Sequence, residues 1–289
     1  MPASRPLWCF SVRVAPEEEE HVCNELHERT GSWPVVRQRP SSRMVWVECY
    51  SASRSRLRRA QRQMRRAGSR LRFVPHEDWA ENWKKHFRVQ RIGKRIVIKP
   101  SWKRHRARPG EVVIELDPGL SFGTGQHPTT RFCLQMIERL CDRCSSLLDV
   151  GTGSGILAIA AAKLGFAPVL AVDNDPQAVR VARANLRKNM GGRLRRATVL
   201  LASLESLPSS PKRAVVVANL LADLILAQRR KLAALVAPGG FLILAGILTR
   251  ETAQIRRAFW TLGFETFACE RTRNWAGLAF HKFERRRRR

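Results

Sequence analysis

Thirty residues constrain this chain more than any others: Leu147 to Pro176, LLDVGTGSGILAIAAAKLGFAPVLAVDNDP. An apolar run closed by an acid (Leu147, Leu148, Asp149, Val150) passes directly into three alternate glycines, Gly151, Gly153 and Gly155. That is a strand entering a tight turn. An alanine-rich helical segment, Ile156 to Leu164, stops at Gly165, and a second apolar run, Val169 to Val172, ends in a second acid, Asp173. Together these spell one β-α-β unit, which commits its part of the chain to a parallel sheet crossed by helices.

Such a unit binds a nucleotide-like ligand at the carboxyl edge of its sheet. Glycines let backbone approach a ligand that any Cβ would push away, and the acid ending the second strand can accept hydrogen bonds from ribose hydroxyls. A dinucleotide fingerprint has glycines at its first, third and sixth positions, but here the sixth position is Ile156 and the pattern is G-x-G-x-G. Asp149, two residues before the first glycine, would repel a pyrophosphate and welcome a cation. The departures favour S-adenosylmethionine over NAD, with a ligand-free structural turn as the third reading.

At 289 residues and 44% hydrophobic content the chain can bury cores for two domains. Its apolar runs are broken by Lys163, Gly165 and Pro168 or by Asp223, so no membrane span is expected. The N-terminus lacks an apolar core of normal length and a small-residue cleavage site, so secretion is not expected either. Seven cysteines, an odd number scattered along the chain, fit a reducing cytoplasm better than a disulfide framework. Cys141 and Cys144 form a single C-x-x-C, which without a second pair reads as two ordinary helix-end thiols, and no metal is expected. Net charge is +29, from 53 Lys and Arg against 24 Asp and Glu. Two explanations fit: attraction to nucleic acid or assemblies containing it, and a general arginine bias without any polyanionic partner.

Residues 1–75 read as a small α+β domain. Trp8 to Val14 alternates as a strand, and Pro16 with Glu17 to Glu20 opens a helix ended by Gly31. Strands Trp33 to Gln38 and Met44 to Cys49 follow. A helix from Ser51 to Ala67 has Leu57, Ala60 and Met64 inward and Arg54, Arg56, Arg58, Arg59, Arg62, Arg65 and Arg66 on its other faces, and a last strand includes Leu71 and Phe73. The order β-α-β-β-α-β is ferredoxin-like. The arginine face fits either solvent or RNA phosphates. Residues 76–103 read as a linker whose helix repeats Trp79, Trp83 and Phe87 every four residues, a docking helix or hinge.

Residues 104–284 read as the larger α/β domain, with a basic tail at 285–289. A strand, Val112 to Leu116, leads into DPGLSFGTGQHPTT, residues 117–130, a glycine-rich lead-in placed like a ligand lid that includes Phe122, Gly123, Thr124 and His127. His127, just before Pro128 at the start of a helix to Leu140, reads as a structural hydrogen-bonding group or a general base. Beyond the central unit, Asp175 and Pro176 start a helix. Thr198 to Leu201 is a short strand, and Ala214 to Ala218 is a fully buried strand ending at Asn219, where a reacting group should sit. A helix through Leu232 and Leu235, a strand Phe241 to Ala245, a helix Thr249 to Leu262 and strands near 264–270 and 276–283 complete the sheet.

Assembled, these segments resemble the bacterial ribosomal protein methyltransferases of the PrmA type. The likeness rests on DWAENWKKHF, IKPSW, LDPGLSFGTGQHPTT, LLDVGTGSGILAIAAAKLG, VDNDPQAV, VVVANLLADLIL and LVAPGGFLILAGIL. GLSFGTGQHPTT is the most specific of them, because other class I methyltransferases share the glycine turn but not this lead-in. The N-terminal domain matches by element order and hardly by residue. Thr152 stands where the family often has Cys, and Gln126 where Thr is common. The stretch from Asp173 to Asn219 is longer than usual, and the tail is arginine-rich.

The resemblance implies a Rossmann-like class I methyltransferase domain behind a ferredoxin-like one. It implies an S-adenosylmethionine-dependent enzyme that methylates amino groups of the large subunit's eleventh protein, lysine side chains first, with the N-terminus as a further candidate. The family's cofactor contacts fall on Thr130, Gly151, Asp173 and Asn219. On this reading Asp173 binds the ribose, Asp149, Gly151, Gly153 and Gly155 surround the methionine part, Thr130 anchors the lid, Phe122 walls the site, and Asn219 orients the amine. Expected partners are the ribosomal protein and rRNA touched by the basic N-terminal helix, for a monomer in the cytoplasm. The alternatives are an RNA methyltransferase, a non-ribosomal lysine methyltransferase, and an RNA-binding scaffold with a vestigial cofactor fold. Leu220 and Leu221 after Asn219 weigh against the first, because base-directed enzymes usually put an aromatic residue after an Asn-Pro pair there.

Overall fold

A computed structural model describes residues 7–38, 44–64, 66, 68–74, 87–117, 125–191 and 196–283. The chain divides into two compact units, Met1–Phe87 and Arg88–Arg289. Residues 88–103, read from the sequence as linker, fall in the second unit. The aromatic helix expected from Trp79 and Trp83 lies outside the described residues.

The first unit runs β1 (Leu7–Val14), α1 (Glu19–Thr30), β2 (Val35–Gln38), β3 (Val45–Ser51), α2 (Arg54–Met64) and β4 (Arg70–Val74). Its antiparallel sheet has the order β2-β3-β1-β4. Alternation in β1 buries Phe10, Val12 and Val14 with Val22 and Leu26 of α1 and Leu57 and Met64 of α2. Helix α1 ends at Gly31 with φ +65°, a left-handed conformation that glycine adopts without strain. Several arginines of α2 are engaged within the unit. Arg66 pairs with Glu18 at 2.8 Å, Arg56 donates to the Thr30 carbonyl at 3.2 Å, and Arg54 lies 4.5 Å over the Trp8 ring. Arg58, Arg59 and Arg62 face solvent.

The second unit opens with a three-stranded sheet of β5 (Gln90–Ile92), β6 (Ile96–Lys99) and β7 (Val112–Glu115), in that order. Then follow α3 (Pro128–Leu140), β8 (Leu147–Val150), α4 (Ile156–Leu164), β9 (Val169–Asp173), α5 (Pro176–Met190), β10 (Ala197–Leu201) and β11 (Arg213–Asn219). The chain closes with α6 (Ala222–Ala227), α7 (Arg229–Leu235), β12 (Val236–Leu248), α8 (Thr252–Trp260), β13 (Phe264–Arg271) and β14 (Trp275–Lys282). The main sheet has the order β10-β9-β8-β11-β12-β14-β13. Its first five strands are parallel and the last two antiparallel. One apolar cluster fills the face under α3, α4 and α5, and another fills the face under α6, α7 and α8. That double covering is why β8 and the interior of β11 are apolar at nearly every position.

From β8 the chain steps outward to β9 and β10, then returns to place β11 on the other side of β8. The order therefore reverses between β8 and β11, and sheets of this kind bind ligands beyond the carboxyl ends of the strands at such a reversal. Elsewhere the packing is close enough to be tested by one methyl group. A Cβ on Gly277 of β14 would sit 2.2 Å from the Phe132 ring, itself only 3% exposed in α3. Gly277→Ala is expected to destabilise the fold by about 1–3 kcal/mol, seen as a lower thermal midpoint.

Candidate active site

The loop after β8 is held by the strand beside it. The N–H groups of Gly151 and Thr152 both donate to the Val172 carbonyl, at 2.9 and 3.0 Å. The Gly153 N–H donates to Asp173 Oδ2 at 2.9 Å, and the Gly155 N–H to the Thr152 carbonyl at 2.9 Å. Gly151, Gly153 and Gly155 have φ of 70°, 53° and 83°, so side chains there would be strained. The glycines also make room for neighbouring protein. A Cβ on Gly151 would meet Leu220 Cδ2 at 2.5 Å, and one on Gly155 would meet Ala182 Cβ at 3.1 Å, where α4 and α5 approach. The turn thus spends these four backbone donors internally, unlike a phosphate cradle, which points them at the ligand.

Two carboxylates flank it. Asp173 ends β9 half-buried, Oδ2 taking the Gly153 N–H and Oδ1 the Asp175 N–H at 3.0 Å. A carboxylate oxygen has two acceptor positions, so each oxygen keeps capacity for a further donor. Asp149 is fully buried beneath the turn, Oδ2 accepting from Thr152 Oγ1 at 2.6 Å. Its Oδ1 has no hydrogen-bond partner among the described residues. Burial pushes its carboxyl up to about 7, with the Thr152 hydroxyl and the Ala158 backbone N–H pulling the other way and nearby Asp173 adding to the rise. Asp149 therefore presents no carboxylate surface to solvent at the turn.

The other wall comes from α3 and β11. His127 caps α3, its Nδ1 accepting from the Thr129 N–H at 3.4 Å and lying 2.6 Å from Thr129 Oγ1, with its ring edge-on to Trp275 at 4.8 Å. Burial pulls its pKa down to about 4, so it is neutral at physiological pH. This geometry gives His127 the hydrogen bond of a helix cap. Thr130, in the first turn of α3, is 1% exposed and accepts from Asn219 Nδ2 at 3.4 Å. Asn219 is half-buried at the end of β11. The remaining expected lid residues, Phe122, Gly123 and Thr124, lie outside the described residues.

Leu220, which the sequence offers only as a sign against a base-directed enzyme, fixes the position of Asn219. Its side chain fills the space at Gly151, its N–H donates to the Ala245 carbonyl at 3.0 Å, and its carbonyl would lie 2.5 Å from a Cβ on Gly246. Gly246, with φ +81°, sits where the β12–β14 register shifts between Leu244 and Ile247. The signal available was a glycine interrupting the apolar run Phe241 to Leu248. Thr152 was noted only as a departure from a family pattern, and the structure gives it the hydroxyl that donates to Asp149.

The donor set selects a ligand chemistry. An unpartnered buried carboxylate oxygen, a second carboxylate with spare acceptor capacity and a turn whose donors are already used fit a cation carrying ribose hydroxyls. They do not fit a pyrophosphate. Among the described residues, no group of His, Cys, Asp or Glu is arranged to hold a metal ion, and no helix is long and apolar enough to cross a membrane.

Comparison with known proteins gives the same direction. A family model described as ribosomal protein L11 methyltransferase (PrmA) matches residues 7–283. A Citrifermentans bemidjiense protein named ribosomal protein L11 methyltransferase is 47% identical over 215 residues, covering 72% of this chain and 68% of that protein. A Chloroflexus aurantiacus protein of the same name is 35% identical, covering 94% of this chain and 97% of that protein. The crystal structure of a ribosomal protein L11 methylase from Lactobacillus delbrueckii subsp. bulgaricus superimposes with a TM-score of 0.62 at 32% identity, covering 68% of this chain and all of that one. With a match reaching from the first strand to the last, this chain belongs to the ribosomal protein L11 methyltransferase (PrmA) family.

Proposed function

We propose that the chain is an S-adenosylmethionine-dependent protein N-methyltransferase acting on amino groups, lysine side chains and the N-terminus, of ribosomal protein L11. One observation carries this reading: at the β8/β11 reversal, two carboxylates flank an internally bonded glycine turn, and the neighbouring strand β11 ends on an amide, Asn219, that is tied to Thr130. Family membership supplies the substrate. S-adenosylmethionine, when bound, supplies an electrophilic methyl group on a cationic sulfur.

The chain's own residues bind, orient and exclude water. Asp173 would accept from the cofactor's ribose hydroxyls, and the 151–155 turn with Asp149 would hold its methionine portion. Thr130 takes an amide hydrogen of Asn219, which leaves the amide oxygen to accept from the incoming amine and turn its lone pair toward the methyl group. In-line displacement by a neutral amine needs little acid-base chemistry, so the rate gain comes mainly from near-attack positioning. The lid role of Phe122, Gly123 and Thr124 belongs to the same proposal. So do rRNA contact through Arg58, Arg59 and Arg62, a monomeric state and a cytoplasmic location. Mass spectrometry of purified L11 after incubation with the protein and S-adenosylmethionine tests the function. Methyl groups on L11 amines are expected, and unchanged L11 in the presence of bound cofactor would exclude L11 as substrate.

A pH dependence follows from Asp149. With its carboxyl at about 7 in the free protein, a cationic ligand binds best once the proton has left. Affinity is therefore expected to rise several-fold from pH 6 to pH 7.5, staying below the range of about 7.7–8.0 in which an α-amino group loses its own proton. Calorimetric titration across this window checks it. In Asp149→Asn the rise is expected to vanish.

A further inference from the structure

The glycine turn is braced from outside by a residue with no place in the proposed chemistry. Asn185, half-buried in α5, donates from Nδ2 to the Ser154 carbonyl at 2.8 Å. The same peptide unit is held at its other end, where the Gly155 N–H donates to the Thr152 carbonyl at 2.9 Å. Thr152 in turn donates its hydroxyl to the buried Asp149 carboxylate at 2.6 Å. One peptide plane, Ser154–Gly155, is therefore pinned both from within the turn and from α5.

That plane needs a brace. It turns about ψ of Ser154 and φ of Gly155, and glycine adopts φ of either sign at little cost. A side chain at Gly155 could not stiffen it, because a Cβ there would lie 3.1 Å from Ala182 Cβ, itself on α5. Asparagine is a poor residue for a helix interior, so the place of Asn185 in α5 is explained by what its amide reaches. Asn189, one helical turn on, makes the contrast. Its side chain donates to the Glu115 carbonyl and accepts from the Glu115 N–H, both at 2.7 Å, which ties α5 to β7 instead of to the turn.

We propose that Asn185 is a positioning residue for cofactor binding, holding the Ser154–Gly155 peptide in the orientation that receives S-adenosylmethionine. The proposal rests on the reading that the 151–155 turn holds that cofactor. Without the amide the plane rotates until the Ser154 carbonyl finds water, and binding must first restore the pinned arrangement. Apparent affinity then falls in proportion to the fraction of molecules that keep it. Asn189, bonded to β7, contributes to stability alone.

Calorimetric titration of S-adenosylmethionine into the full chain tests this, alongside thermal melting of each protein without cofactor. Asn185→Ala is expected to bind about tenfold more weakly, the effect of losing one hydrogen bond to a buried carbonyl, with KM for L11 unchanged. Asn185→Asp has the same size but no donor at neutral pH, and should bind no better. Asn189→Ala should lower the thermal midpoint at least as far as Asn185→Ala, yet keep an affinity within about twofold of the parent. Parent affinity in both Asn185 variants would overturn the proposal. So would an equal loss of affinity in Asn189→Ala, which would make both residues general braces of the fold. A parent protein that binds no S-adenosylmethionine would sink the reading of the turn, and the pin with it.

Discussion

Asp173→Ala is expected to weaken S-adenosylmethionine binding by about two orders of magnitude while leaving the thermal midpoint close to that of the parent. Hydrogen bonds to a charged group contribute about 1.5–3 kcal/mol each, so losing two ribose contacts costs roughly 3 kcal/mol or more, which is about 100-fold. The substitution also releases the Gly153 and Asp175 N–H groups, which the carboxylate holds at 2.9 and 3.0 Å. Asp173 is half-exposed, so water can satisfy those donors and the fold survives. Asp173→Asn keeps one acceptor oxygen and should fall between the two. Calorimetric titration reads all three proteins, and undiminished affinity in Asp173→Ala would remove the ribose assignment.

The second large effect is on rate. Asn219→Ala is expected to lower kcat about 100-fold by losing near-attack orientation of the amine, with cofactor affinity changed by only a few-fold. Thr130→Val should cost less, because Thr130 acts through Asn219 by way of a 3.4 Å hydrogen bond. For the same reason the double variant should be hardly slower than Asn219→Ala, since two changes in one hydrogen-bonded unit do not add. Single-turnover methyl transfer to L11 separates these outcomes. Equal losses in affinity and rate for Asn219→Ala would instead make it a cofactor-binding residue.

The parts of this site that local pattern encodes were legible before the fold was known. Strand β8, its glycine turn, α4 and β9 follow from apolar periodicity and punctuation within one thirty-residue window, and Asn219 stood out because an all-apolar run ends on it. Contacts between distant segments were not legible. Nothing local to Leu220 says that it will fill the space at Gly151 while its backbone passes Gly246. The burial of Asp149 was likewise hidden, because an acid at a strand end reads as exposed until the covering helices are known. Strand β5 is three residues long and includes Gln90 and Arg91, too short and polar for a periodic signal. The break between α6 and α7 at Gln228 falls inside an unbroken helical pattern. Strand β12 runs from Val236 to Leu248 rather than over Phe241 to Ala245. Its pairing with β11 absorbs Pro238, Gly239 and Gly240 in a register shift between Arg213 and Val215.

The central proposal is that the site at the β8/β11 reversal moves a methyl group from a sulfonium to an amine of a ribosomal protein. The most direct test incubates the protein with methyl-labelled S-adenosylmethionine and the separated proteins and RNA of the large subunit, then asks where the label lies. The account predicts label on amino groups of L11, strongly reduced in Asp173→Ala at cofactor concentrations near the parent's Kd and strongly reduced in Asn219→Ala. Label in RNA alone would contradict it.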